Sequence, residues 1–483
     1  MVEKLKNEWL NQPGKNILAG IVVALALIPE AIAFSIIAGV DPMVGLYTSF
    51  IIAVVTAIVG GRAAMISGAT GAIALLIVPL VKDYGVEYLL AATILMGLIQ
   101  LILGLLKVGR LMKFIPRSVM IGFVNALGIM IFMSQIEHIF GISISTYIYV
   151  IVTLLIVYII PRFFKAIPAP LIAIIVLTAL YMYTGSDVRT VGDLGNIKQA
   201  FPHFLIPNVP FNLETLQIIF PYSLSMAIVG LVESLLTAKI VDDATDTYSS
   251  KNRESCGQGI ANMITGLFGG MGGCAMIGQS VINVKSGANS RLSTFSAGVV
   301  LIFMIIVLGG LVVQIPMPIL AGIMVMVSIG TFDWNSFKYI QKAPKTDAVV
   351  MILTVIIVLM THNLALGVVV GVIFSALFFA TKISKVEVTS EKFGKTNRLS
   401  FKGQIFFVSI DSMMDQISFN IENSIIELNF NNAHLWDDSA VDAIDTMVRK
   451  FEEKNNIVHV EKLNSDSRKI VSELSKLNEN HLN

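Results

Sequence analysis

Charge is scarce in this chain. Of 483 residues, 14% are Asp, Glu, Lys or Arg and 55% are hydrophobic. A soluble domain carries about 25% charged and 45–50% apolar residues. The shortage is also uneven. Up to about Ile383 one long apolar run follows another, and from Lys385 to Asn483 the chain turns polar. A single soluble globule is therefore excluded. The composition predicts a membrane part over residues 1–384 and a soluble tail over 385–483. Cysteine is scarce too: Cys256 and Cys274, the only two, lack metal-ligand spacing and read as free thiols. No cleavable signal peptide is expected, because Met1 to Lys15 is polar and the first apolar run, Ile17–Ala38, is too long for one. The chain lacks an acid/base pair, a nucleophile arrangement and a phosphate loop, so no enzyme, organic cofactor or nucleic-acid partner is expected. A net charge of +1 indicates no partner class.

What is present is a series of apolar segments. A membrane-crossing helix needs about 20 apolar residues and a half helix fewer. Fourteen segments result. The first seven are Ile17–Ala38, Val44–Val59, a short Ser67–Leu80, Tyr88–Leu106, Ser118–Gln135, Thr146–Ile160 and Pro168–Tyr183. The second seven are Ile219–Ile240, Cys256–Phe268, a short Cys274–Val284, Ser293–Val313, Pro318–Gly330, Thr346–Thr361 and Leu364–Lys382. Between the sets, Gly185 to Glu214 carries Pro202, Pro207 and Pro210 and reads as an extracellular linker.

Loop charge sets an orientation. With the amino terminus inside, the internal loops hold fourteen Lys and Arg, among them Arg110, Lys113 and Lys165. The external loops hold three, Lys82, Arg189 and Lys198. This positive-inside bias places both termini and the tail in the cytoplasm. Seven is odd, so the second set enters the membrane from the opposite side. Two inverted repeats, about residues 16–184 and 215–384, follow from the count.

Two of the segments are broken by small residues at matching places. Ser67-Gly68-Ala69-Thr70-Gly71 begins 37 residues after Glu30, and Gly272-Gly273-Cys274-Ala275-Met276 begins 39 residues after Glu233. Both glutamates sit in apolar stretches, where a charged side chain costs several kcal/mol unless function keeps it there. Short, glycine-interrupted segments in corresponding positions of two halves point to a transporter binding site. A helix amino terminus carries about half a positive charge and several unpaired N–H donors, so two such ends facing each other hold an anion without a fixed cation. Neither stretch contains Lys or Arg. The candidate anion-binding residues are Ser67, Gly68, Ala69 and Thr70 with Gly273, Cys274, Ala275 and Met276. Close helix packing would also use such glycines, but the matched pair, each preceded by an intramembrane glutamate, favours a site.

Glu233 and Thr237 lie four residues apart, on one helix face. A carboxylate with a hydroxyl one turn away suits a small coupling cation, either H⁺ or Na⁺, and for Na⁺ these two residues are the metal ligands. Glu30 follows Pro29, which frees a main-chain carbonyl one turn back; it is a weaker candidate for the same role. Asn125 is expected to hydrogen-bond between helices, Arg291 to mark a helix start, and Asp242, Asp243 and Asp246 to form a solvated loop after a helix end.

In the tail, Gln404–Ile410, Ser424–Phe430 and Ile457–Val460 read as strands. Val441–Lys454 and Ser467–Leu477 read as helices, the first with Asp438 or Ser439 as its N-cap. Alternating strands and helices predict a small α/β domain.

Three stretches carry a family resemblance: Ala26-Leu27-Ile28-Pro29-Glu30-Ala31-Ile32-Ala33-Phe34, Lys113-Phe114-Ile115-Pro116-Arg117-Ser118-Val119 and Gly230-Leu231-Val232-Glu233-Ser234-Leu235-Leu236-Thr237. With them the chain resembles the SulP (sulfate permease) family of inorganic anion transporters over nearly its whole length. Its tail is similar to the family's STAS domain from Phe430 through Ala440. The resemblance implies a polytopic α-helical membrane protein of fourteen segments in a 7+7 inverted repeat, with core and gate domains and elevator-type transport. It further implies a homodimer in the cell membrane and a cytoplasmic STAS domain. It places the anion between Ser67–Gly71 and Gly273–Met276 and the coupling ion at Glu233 and Thr237. Cyanobacterial bicarbonate members have an aspartate serving Na⁺ at the position of Glu233, so here proton coupling stands level with sodium. Cys274 replaces a hydroxyl or other small residue, and Ala440 a glycine. The expected function is secondary active transport of a sulfate- or bicarbonate-class oxyanion, with a dicarboxylate carrier or an anion channel as alternatives. A nucleobase permease would share the inverted repeat.

Overall fold

The computed structural model describes residues 8–109, 114–163, 168–193 and 200–475. Arg110, Lys113, Lys165 and Lys198 of the loop-charge count lie outside the described residues, as does the end of the expected helix Ser467–Leu477. The chain divides into two compact units, Met1–Val372 and Ile373–Asn483.

Every one of the fourteen expected apolar segments contains a helix. In the first half these are α1 (Pro13–Ala38), α2 (Pro42–Val59), α3 (Gly71–Tyr84), α4 (Val86–Leu105), α5 (Arg117–Ile139), α6 (Ile144–Ile159) and α7 (Ala169–Thr184). In the second they are α8 (Leu213–Thr245), α9 (Lys251–Leu267), α10 (Ile277–Lys285), α11 (Arg291–Val312), α12 (Met317–Thr331), α13 (Lys345–Thr361) and α14 (Leu364–Ile383). Among the described residues, nine helices are long and apolar enough to cross a membrane.

Caps explain several starts. Asp41 accepts from Met43 N at 2.9 Å at the head of α2, and Asn212 accepts from Thr215 N at 2.8 Å at the head of α8. Each satisfies a donor that the first helical turn leaves unpaired. Helix α1 stops where Gly39 adopts φ +74°, a left-handed conformation that suits glycine.

Two expectations need correcting. Helix α8 runs 33 residues, well beyond Ile219–Ile240, so Asp242 and Asp243 are helical and only Asp246 sits past the end. Asp242 is not a solvated loop residue: its carboxylate lies 3.4 Å from Arg62 and 2.7 Å from Lys251. The two short segments also do not begin as helix. Each opens with a two-residue strand, β1 (Ser67–Gly68) and β2 (Cys274–Ala275), and only then turns helical.

The helices pack in two sets. Helix α1 lies against α2 and α11, α2 against α9 and α11, and α4 against α8 and α9. Separately, α5 packs on α12 and α13, and α6 on α7 and α12. Fewer contacts join the sets, mainly α3 with α5 and α1 with α7 and α12. Asn125 does not bond to another helix but to a loop, accepting from Asp333 N at 2.8 Å just past the end of α12.

Arg291 does start α11, and its side chain is 4% exposed. Its guanidinium donates to Ala57 O at 3.0 Å, to Gly60 O at 2.9 Å and to Glu8 Oε2 at 2.9 Å. It thereby satisfies carbonyls at the end of α2 that have no intrahelical partner. Burial holds the neighbouring Arg62 guanidinium below its usual range, against the opposing pull of Asp242 and Glu254.

The second unit contains a four-stranded sheet in the order β3 (Glu387–Phe393), β4 (Thr396–Ile405), β5 (Ile425–Leu435), β6 (Ile457–Glu461). The first pair is antiparallel and the other two are parallel. Helix α15 (Asp438–Glu452) links β5 to β6, and α16 (Ser465–Leu474) follows. The core is apolar, with Phe401 stacked on Phe430 at 4.5 Å and Phe451 fully buried. The α/β pattern is the one expected, with three corrections. The β3–β4 hairpin replaces a single strand at Gln404–Ile410. That strand ends at Ile405 because Ser409 Oγ accepts from Phe406 N at 2.9 Å, a local bond, and Asp437 Oδ2 from Phe407 N at 2.9 Å across the fold, and both compete with the ladder. The N-cap of α15 is Asp437, not Asp438 or Ser439, accepting from Ala440 N at 3.0 Å.

Candidate functional site

The two broken segments meet. Strands β1 and β2 pair antiparallel, Ser67 opposite Ala275 and Gly68 opposite Cys274. Helix α3 starts after β1 with Thr70 extended at its N-cap, and α10 starts after β2 with Met276 extended at its N-cap. Two helix amino termini are thus carried by one small sheet. Glycine is required here by contact. A side chain on Gly273 would overlap the carbonyl of Gly68, and one on Gly68 would sit 2.9 Å from Ser49 Oγ.

A polar frame holds the sheet. Gly273 N donates to Asn262 Oδ1 at 2.9 Å, and Asn262 Nδ2 donates to Gly273 O at 3.0 Å. Gln258 Nε2 donates to Ser67 Oγ at 2.8 Å and to Glu254 Oε1 at 2.9 Å. Glu254 Oε2 accepts from Gly61 N at 2.7 Å and Arg62 N at 3.0 Å. Ser49 Oγ accepts from Ala69 N at 3.1 Å, and Ser234 Oγ from Ala275 N at 3.0 Å. All these side chains are buried, where an unpaired polar group would cost about 1–3 kcal/mol.

Both glutamates reach the same place. A cavity of about 530 Å³ is lined by Glu30, Thr70, Gly71, Glu233, Met276, Ile277, Gly278 and Gln279 on one side. Phe123, Leu127, Ile131, Ile323, Met326 and Val327 of α5 and α12 face it from the other. Among the described residues, none that lines it is Lys or Arg. Glu30 Oε1 accepts from Gln279 Nε2 at 2.7 Å. Glu233 Oε2 accepts from Cys274 Sγ at 3.0 Å, and Cys274 Sγ lies 3.1 Å from Thr70 Oγ1. The Thr237 hydroxyl donates to the Glu233 carbonyl at 2.7 Å, so its remaining lone pairs and the Glu233 carboxylate are oxygen donors of the kind Na⁺ accepts. Among the described residues, no group of three or more His, Cys, Asp or Glu could hold a metal.

The structure therefore brings Thr70, Met276, Glu233 and Glu30 to one cavity. Ser67, Gly68, Ala69, Gly273, Cys274 and Ala275 lie behind it, in the strand pair and the residues flanking it. Sequence reasoning missed Ser49, Ser234, Gln258, Asn262 and Gln279. One signal was available: Glu254, Gln258 and Asn262 recur every four residues, a polar stripe along one face of α9.

The match to known proteins agrees with this architecture. The model of the sulfate permease family fits residues 14–159 and 144–354, a stretch that contains the strand pair, both helix starts and both glutamates. The chain belongs to the sulfate permease family. It is 55% identical over 98% of its length, and 99% of the other's, to "Putative sulfate transporter YbaR" of Bacillus subtilis (strain 168). Among solved structures, it is similar to the transmembrane domain of a cyanobacterium bicarbonate transporter, BicA. There the TM-score is 0.64 at 26% identity, covering 75% of this chain and 96% of that one. Murine Slc26a9 in the inward-facing state gives a TM-score of 0.84 at 17% identity, covering 97% of this chain and 89% of that one. That likeness concerns fold alone and extends through the C-terminal unit. The family members compared are transporters, and this is a polytopic helical membrane protein of their kind.

Proposed function

We propose that this family member is a secondary active transporter of a small inorganic oxyanion, of the sulfate or bicarbonate class, coupled to H⁺ or Na⁺. One observation carries the reading: two helix amino termini, joined through paired strands, open on a cavity whose lining, among the described residues, holds no Lys or Arg. Each helix end stabilises an anion by about 0.3–1 kcal/mol, up to ~2 when partly buried. An ionised carboxylate ~6 Å from the anion opposes it by about 3 kcal/mol at an effective dielectric of ~20. Glu30 and Glu233 line the same cavity, so anion binding needs their charge cancelled, and a bound cation is what cancels it. Glu233, with Thr237, is the main coupling position and Glu30 the weaker one. Of the expected anion site, Ser67–Thr70 and Gly273–Met276, Thr70 and Met276 line the cavity and the other residues support them from behind. The names of YbaR and BicA supply sulfate and bicarbonate as the first substrates to test.

The two packed helix sets suit core and gate domains of a 7+7 inverted repeat, residues 16–184 and 215–384, moving as an elevator. The transport domain ends near residue 384. Residues 385–483 form a cytoplasmic STAS domain in a homodimer, with both termini inside the cell membrane. The cavity volume also admits a dicarboxylate, which competition by succinate and fumarate separates from an inorganic anion.

The test is uptake of labelled sulfate and bicarbonate into proteoliposomes under imposed proton or sodium gradients. Accumulation driven by one gradient, and lost in Glu233→Gln, is expected. Glu233→Gln transporting as well as wild type under every gradient refutes the coupling role. Ion currents without accumulation refute the carrier reading in favour of a channel.

A further inference from the structure

The segment from Ala200 to Asn212, which leads into α8, is irregular and apolar. It contains no Asp, Glu, Lys or Arg. Four of its large side chains nevertheless stand clear of the protein: Phe201, Phe204 and Ile206 are 60–65% exposed and Phe211 is 94% exposed. A soluble surface rarely leaves such a patch to water. The main chain is tied down on its other side. Tyr47 of α2 donates its hydroxyl to Ala200 O at 3.0 Å, Leu205 N donates to Leu267 O at the end of α9 at 2.8 Å, and Asn208 N donates to Glu87 Oε2 in the first turn of α4 at 2.7 Å. Phe204 meets Phe268 edge to face, with ring centroids 5.8 Å apart. Pro202, Pro207 and Pro210 have no N–H to satisfy. The segment is a strap fastened to three helices, with its large apolar side chains left bare.

Continuity says what covers them. Helix α8 is long and apolar enough to cross a membrane. On its first turns Leu213, Leu216 and Phe220 are exposed at helical spacing and form one stripe. Phe211 stands two residues before that stripe, so the strap's patch runs directly into a surface that faces acyl chains. Tyr84 and Tyr88, at the turn from α3 into α4 where Glu87 holds the strap, lie with ring centroids 5.3 Å apart. Aromatic rings of this kind collect at membrane–water boundaries. Irregular backbone facing lipid is excluded from the hydrocarbon itself. The strap therefore belongs where headgroups meet acyl chains, a layer into which an apolar face sinks about 5–10 Å.

We infer that residues 200–212 form an interfacial anchor, which seats one of the two helix sets, through α2, α4 and α9, on the headgroup–acyl boundary of the adjoining leaflet. The partner is a phospholipid surface. It is recognised by its apolar depth and not by headgroup charge, because the strap offers no Lys or Arg to a phosphate. The anchor is independent of which anion is carried and of which ion drives it.

The experiment is spin labelling of the full-length protein in phosphatidylcholine nanodiscs. A nitroxide is attached at Ile206→Cys, Phe211→Cys, Phe220→Cys or Tyr248→Cys, each made alone. The signal of wild type treated in the same way is subtracted, since Cys256 and Cys274 are present throughout. Ile206 and Phe211 are exposed, so a label there displaces no packed neighbour. Collision with oxygen, which concentrates among acyl chains, is compared with collision with a neutral nickel chelate, which stays in water. Phe220→Cys, on the α8 stripe, is the lipid reference. Tyr248→Cys, at a fully exposed residue past the other end of α8, is the water reference. Both strap labels are expected to favour oxygen over nickel severalfold more than Tyr248→Cys does, at a shallower depth than Phe220→Cys. The preference should be the same in anionic phosphatidylglycerol and at low or high salt, which screens charge attraction. Nickel reaching both strap labels as freely as Tyr248→Cys puts the strap in water and overturns the anchor. Labels that neither agent reaches are covered by protein, which overturns lipid as the occupant. A preference that needs phosphatidylglycerol, or that high salt removes, overturns recognition by apolar depth.

Discussion

Asn262 and Gly273 close a ring of two hydrogen bonds, the glycine N–H donating to Asn262 Oδ1 at 2.9 Å and the side-chain amide returning to Gly273 O at 3.0 Å. An asparagine side chain here stands in for a strand. It meets both main-chain groups of a residue whose other neighbour in the fold is the two-residue β1.

Asn262→Ala removes the side-chain partner of both the N–H and the carbonyl of Gly273 at once. Leaving a buried donor or acceptor unpaired costs about 1–3 kcal/mol each. Uptake by Asn262→Ala is expected to fall by more than tenfold with the protein still inserted. Proteoliposome initial rates, normalised to protein recovered by size-exclusion chromatography, check this.

Gly273→Ala forces a side-chain carbon into the carbonyl of Gly68. Overpacking of this kind costs about 1–3 kcal/mol, and the strand pair is the element that must yield. Uptake should drop to near background while melting falls by only a few degrees. Gly14→Ala, outside the cavity and with nothing within 4 Å of the added side chain, is the control for size alone and should retain most activity.

Arg291→Met strips partners from Ala57 O, Gly60 O and Glu8 Oε2 together. Each buried carbonyl left without its partner costs about 1–3 kcal/mol. A loss of monodisperse protein in detergent is the expected outcome, read by fluorescence-detected chromatography. Glu8→Gln, which keeps an oxygen acceptor, should stay monodisperse.

Asp437→Ala removes the cap of α15 and the acceptor for Phe407 N. The loss of an N-cap costs about 1 kcal/mol. Amides in the first turn of α15 should exchange severalfold faster in the full-length protein, with sulfate uptake little changed.

The membrane elements were legible because apolar length and loop punctuation mark them directly. The pairing of Ser67–Gly68 with Cys274–Ala275 was not, since two residues give no periodicity and their partners lie far apart in sequence. Only the shared arithmetic of glycine and glutamate pointed to it. Spacing put Thr237 on the Glu233 face, and the structure adds that its hydroxyl hydrogen goes to its own helix. Spacing fixes the face of a residue, not the direction of its proton. In the tail, Phe406 and Phe407 carried the β-propensity of a strand, and the side chains of Ser409 and Asp437 overrode it. The end of α8 was missed because Asp242 and Asp243 read as surface, whereas Arg62 and Lys251 neutralise Asp242.

The strand pair also sets an order of events at the ribosome. Ser67 cannot meet Ala275 until about two hundred further residues have been made, which at roughly 5–20 residues per second takes about 10–40 s. For that time the amino-terminal half holds its unpaired strand and the Glu30 carboxyl without Gln279. The membrane-insertion machinery must shelter these groups from lipid, so this protein's yield depends on its biogenesis as well as on its final stability.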